Sequence, residues 1–272
     1  MIFFQQVHAC LMAQDIEVKL RLLDSLIVNW SQDDLDFSPT ATIERIADPG
    51  RPDKPNLVPP KDLVRRRLGS REGHAALMHA IAHIEFNAVN LALDALYRFQ
   101  TMPRDYYADW LGVATEEAYH FQMIREHLAG LGYEYGDFPA HNGLWLTTFE
   151  TDHDPLVRMA MVPRTLEARG LDVTPDMIKR LRAIGDQRGV EILKILLRDE
   201  IGHVAVGTRW FRYLCQQQGL NPFETFQSIL EQYFHGDIRG PFNYEARAEA
   251  GFSSEEIAWL KKMEAQTFAS PL

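Results

Sequence analysis

The chain has 272 residues, 46% hydrophobic and 24% charged, enough apolar content for one large core or a core bundle with appendages. Its formal charge of −10 excludes a broad grip on nucleic acid or on an anionic membrane, since both need excess Lys and Arg. Cys10 and Cys215 alone give no disulfide framework, no CxxC pair and no thiolate metal knuckle, which fits a reducing compartment.

The N-terminal stretch MIFFQQVHACLMAQDIEVKL has no basic leader and no cleavage site, and no apolar run reaches the ~18 residues of a membrane span. A cytoplasmic protein without a membrane anchor is expected. Residues 1 to 30 read as a first helical segment, and 36 to 60, rich in Pro and Asp, as an extended surface arm. The basic run Arg65-Arg66-Arg67 reads as solvated surface. A long helix is expected from Ser70, its N-cap, to about Phe99, and a second from Pro103 to the stop at Gly130 and Gly132. A Gly- and aromatic-rich loop containing His141 and Trp145 leads to a third helix, about 150 to 171, bent at Pro163. Thr174-Pro175-Asp176 reads as the start of a short separate helix, and a fourth long helix spans about 188 to 218. Asn221-Pro222-Phe-Glu224 and Ser253-Ser-Glu-Glu256 are capping signals for further helices. The expected class is therefore all-α. It comprises an N-terminal helix and Pro-rich arm (1–69), a four-helix bundle (70–218) and a C-terminal helical extension (219–272).

Apolar stripes at three- and four-residue steps mark the buried faces of these helices. On the fourth, Ile192, Leu196, Val206 and Trp210 share their stripe with Asp199, Glu200 and His203; on the second, Trp110, Phe121 and Ile124 share theirs with Glu117 and His120. A Glu and a His three apart lie about 60° around and about 4.5 Å along a helix, so both can face one interior point. With 10 His in the chain, about one such pair is expected by chance. The third pair, Glu150 and His153, is read as that accident, an acidic first turn favoured by the helix dipole. The two mid-helix pairs gain weight from Glu85 and Glu167, each on the stripe of the preceding helix. One unit thus occurs twice: a helix with a buried Glu, then a helix with Glu-x-x-His.

That arrangement is the ligand pattern of dinuclear carboxylate proteins. Through HAIAHIEFNAVNLALDA, EEAYHF, MVPRTLEARGLDVTP and RDEIGHVAVGTRWF the chain resembles the ferritin-like superfamily, most closely a bacterial branch of uncharacterised ferritin-like proteins, and more distantly rubrerythrins and di-iron tRNA hydroxylases. The resemblance implies a ferritin-like four-helix bundle with added terminal helices and metal ligation by Glu85, Glu117, His120, Glu167, Glu200 and His203. Asp199 and Glu116, four residues before the two His ligands, are placed to accept from their distal ring nitrogens.

Four buried carboxylates are balanced by two divalent cations, and oxygen-rich ligation with one imidazole per metal suits two iron ions, manganese, or a mixed pair. The expected activity is oxidation of a small organic substrate by dioxygen or peroxide, with a separate electron donor, and homo-oligomers are allowed. Iron handling or oxidant scavenging is the alternative, and a metal-free helical interaction module is a third.

Overall fold

The structure is a computed structural model that describes residues 2–32, 35–64, 66–234, 236 and 238–269, with side chains to 266. Arg65 of the basic run lies outside these residues. Arg66 pairs with Glu72 at 2.8 Å. The described residues are helical, with no strand and only two isolated bridges, Ile2 to Asp36 and Leu57 to Ala140. None of the helices is long and apolar enough to cross a membrane. The chain divides into two compact units, Met1–Phe149 and Glu150–Leu272, and the division falls between the two copies of the Glu then Glu-x-x-His pattern.

In the first unit, residues 1 to 30 form two helices rather than one, α1 (Phe3–Met12) and α2 (Ile16–Ser31). The break is local chemistry: the Asp15 carboxylate accepts from the Val18 amide at 2.8 Å and starts a new helix. Lys19, 1% exposed, closes the junction, its Nζ donating to the Cys10 and Leu11 carbonyls at the end of α1 and to Asn90 Oδ1. The arm is extended as expected and is pinned by Val58 N to Ala140 O and Ala140 N to Asn56 O. Ser70 caps α3 (Arg71–Arg98), accepting from Gly73 N at 3.0 Å. From Glu85 to Arg98 every residue of α3 is buried, the polar Glu85, Asn87, Asn90, Asp94 and Arg98 included, so the helix is enclosed on all sides. It packs on α1 and along α4 (Arg104–Gly130). Pro103 stands just outside α4 as its N-cap, and Gly132, at φ 83°, ends it.

The loop expected after α4 contains a short helix, α5 (Gly143–Glu150). Its anchor is tertiary: Trp145, 1% exposed, donates its indole N–H to the Ala47 carbonyl. Glu150 is therefore the last residue of a helix rather than the first. The next helix starts only at Pro155, with Asp154 as N-cap accepting from Leu156 N at 2.7 Å.

The second unit opens with α6 (Pro155–Met161), which widens into a π-helical turn over Val162–Glu167 and continues as α7 (Ala168–Ala183). The bend expected at Pro163 is this turn. Pro163 has no N–H to give the ladder, and Thr165 Oγ1 instead donates to Ala160 O at 2.8 Å. Gly207 of α8 (Gln187–Gln218) faces the Pro163 ring so closely that a Cβ there would stand under 3.0 Å from it. The expected separate helix at Thr174-Pro175-Asp176 is absent, because α7 runs through Pro175. The carbonyl that Pro175 cannot serve, on Leu171, accepts from Asn243 Nδ2 at 3.2 Å. Asp186 caps α8 and Asn221 caps α9 (Pro222–Tyr233). After α10 (Tyr244–Glu249), Ser253 and Glu256 exchange backbone N–H bonds in a reciprocal box that starts α11 (Ser254–Ala269).

Candidate metal centre

The first unit brings three of the expected ligands together. Glu85 projects from the middle of α3, and Glu117 and His120 from one turn of α4; they are 3%, 0% and 0% exposed. Each offers a ligand atom within 4.8 Å of the others. His120 Nδ1 lies 3.2 Å from Glu85 Oε2 and 3.6 Å from Glu117 Oε2. Trp110, Phe121 and Ile124, all buried, continue the stripe of α4 and keep water from it.

Two carboxylates buried side by side need positive charge, since an uncompensated buried ion costs several kcal/mol. The imidazole shows that demand. Burial by itself would lower its pKa, but the Glu117 and Glu85 carboxylates outweigh burial and push it up to about 11. A proton on His120 and a divalent cation thus compete for the same carboxylates. The donor set of two carboxylates and one imidazole could hold a divalent metal ion. Both cysteines are buried in the core and reduced.

The second unit carries the matching set. His203 is 1% exposed, with Nδ1 3.8 Å from Glu200 Oε2, and Glu200 is half-buried. Glu167 is the last residue of the π-helical turn and is half-buried. Asp199, also half-buried, takes a bidentate bond from Arg198, Nε to Oδ1 at 2.7 Å and Nη2 to Oδ2 at 3.0 Å. Glu116 is exposed on α4. Glu150 and His153 are exposed, and His153 Nε2 contacts the Tyr233 hydroxyl at 3.1 Å.

His79 and His83 are structural. His79 Nε2 accepts from Gly136 N at 3.0 Å. His83 donates from Nε2 to the His141 carbonyl and accepts at Nδ1 from the Tyr135 hydroxyl at 2.9 Å. Tyr135 was not singled out from the sequence; it stacks on both imidazoles and packs on Phe86 and Phe121, which closes the stripe behind Glu85 and His120. Its only signal was its place in the aromatic-rich loop after α4.

Residues 12–258 match the family described as "Protein of unknown function (DUF455)". The chain belongs to this family. A relative in Haemophilus influenzae, described as "Uncharacterized protein", is 44% identical over 280 residues, covering 98% of this chain and 96% of its own length. No solved structure matches the chain. The family description assigns no chemistry, so a functional reading of this member rests on its own side chains.

Proposed function

We propose that the protein is a ferritin-like dinuclear metal oxidoreductase, in which Glu85, Glu117, His120, Glu167, Glu200 and His203 share one site and hold two iron ions or an iron and manganese pair. The observation that carries the reading is the buried cluster of Glu85, Glu117 and His120, with ligand atoms within 4.8 Å, in a chain whose second unit repeats the same residue pattern. When bound, such a pair supplies electrons to dioxygen or peroxide and so drives oxidation of a small organic substrate, the electrons being restored by a separate donor protein.

The chain's own contribution is charge and position. Four carboxylates offset two divalent cations, and each His is fixed one helical turn from its Glu. The apolar residues around Glu117 and His120 exclude water, which strengthens every charge interaction inside. Glu167 sits at the end of the π-helical turn, and single π turns recur at functional sites because they displace a side chain from the regular helical register.

Metal analysis of the purified protein tests the proposal. About two iron or manganese ions per chain are expected, with loss in Glu117→Ala and in His203→Ala and none in Glu150→Ala or His153→Ala. A parent protein without bound iron or manganese, or equal loss in the Glu150 and His153 variants, would overturn it.

A further inference from the structure

The second unit holds a cavity of about 210 Å³ against the π-helical turn. Its walls are apolar and aromatic, including Phe226, Leu230, Phe234, Trp259 and Leu260. Four guanidinium groups also line it, Arg164, Arg169, Arg239 and Arg247, and among the described residues no carboxylate does. Arg169 and Arg239 are exposed, whereas Arg164 and Arg247 are buried.

The two buried arginines differ in what they have left to donate. Arg247 spends Nε and Nη2 on Asp172, at 2.9 and 2.7 Å. Arg164, 1% exposed, stands between the rings of Phe211, Phe226 and Phe252. Its Nη2 pairs with Glu256 and its Nε donates to Thr208 Oγ1 at 3.3 Å, but its Nη1 is buried with no hydrogen-bond partner. A buried donor left unmade is costly, and here it belongs to a residue of the cavity wall.

We infer that this cavity binds a small organic monocarboxylate with an apolar, ring-sized body, its carboxylate accepting from Arg164 Nη1. The size agrees, since a cavity of about 150 Å³ accommodates benzene and this one leaves room for a ring and a short acidic arm. The charge agrees as well: exposed Arg169 and Arg239 attract an anion, and the spare buried donor of Arg164 suits a carboxylate. Arg164, Thr165 and Leu166, which line the cavity, immediately precede Glu167 on the same turn. The inference rests on the oxidoreductase reading in that it names the substrate class of that reaction, but binding itself needs no turnover.

Calorimetric titration of the full chain with phenylacetate, benzoate and octanoate, each against its neutral amide, tests it. At least one acid is expected to bind with Kd below about 1 mM and its amide at least about tenfold more weakly. Phenylacetate or benzoate should lead, and octanoate binding more tightly than both would overturn the ring-sized body. Arg164→Lys keeps a positive charge opposite Glu256 but loses the planar fork that presents Nη1 apart from Nη2, and should weaken the acid by about tenfold. Ile238→Trp, at the half-buried rim, fills the cavity without touching the Arg164–Glu256 pair and should abolish binding even if the lysine variant does not fold. Equal affinity for acid and amide, no binding of any acid, or binding that survives Ile238→Trp would overturn the inference. Metal content measured on the same samples separates the two readings: acid binding by a metal-free chain counts against the dinuclear centre alone, and a loaded chain that binds no acid counts against the cavity alone.

Discussion

Replacing Gly207 by Ala tests whether the π-helical turn is held where Glu167 needs it. The new Cβ would lie under 3.0 Å from Cβ and Cγ of Pro163. Carbon atoms pack at ~3.5–4.0 Å, so α8 and the turn must separate by at least ~0.5 Å. Both segments are buried and neither offers a flexible side-chain end to swing away, so the strain is of the overpacking kind, about 1–3 kcal/mol. On its own, Gly to Ala inside a helix stabilises by about 1 kcal/mol, so the expected net change is a loss of up to roughly 2 kcal/mol. The sign is therefore diagnostic. Denaturant titration should show a lower midpoint with an unchanged slope, and bound metal should fall because Glu167 moves with the turn. A Gly207→Ala protein as stable as the parent or more so, with full metal content, would refute both the close packing and its link to the site.

Glu167→Gln keeps the side-chain volume and leaves three carboxylates against two divalent cations, so metal affinity should fall by about tenfold or more. The metal-free form should be as stable as the parent or more so, having lost a charge from the interior; equal destabilisation of both forms in thermal melts would mean that Glu167 makes a structural ion pair instead. Burial pulls the His79 and His83 imidazoles down to about 4, so between pH 6.5 and about 4 the unfolded chain takes up protons that the folded chain refuses. Stability should thus be full above pH 6.5 and fall as the pH drops through this window, and His79→Gln, whose amide oxygen can still accept from Gly136 N, should flatten the fall in urea midpoints measured from pH 7 to 4.5. An identical slope in the variant would show that His79 is not one of the groups responsible.

The long helices were legible because their ends are written in local chemistry, with Ser70, Asn221 and the Ser253 to Glu256 box all making the bonds that their spacing suggests. The clustering of Glu85, Glu117 and His120 was legible for a related reason: acidic and basic groups on an otherwise apolar stripe must be brought inside with it. What escaped the sequence is tertiary. Asp15 reads as one more polar residue until Lys19 is seen closing the end of α1. α5 depends on Trp145 reaching a carbonyl 98 positions earlier, and the burial of Arg164 depends on three aromatic rings from distant parts of the chain.

The bond from Asn243 to the Leu171 carbonyl spans 72 residues, and it makes the integrity of α7 an event in time. A ribosome adds that much chain in about 4 to 14 s. For that interval Asn243 is not yet made, and the local rule that proline ends a helix acts without its counterweight. The helix start expected at Thr174-Pro175-Asp176 follows that local rule, and the single helix from Ala168 to Ala183 needs the chain to have emerged as far as Asn243 to be completed.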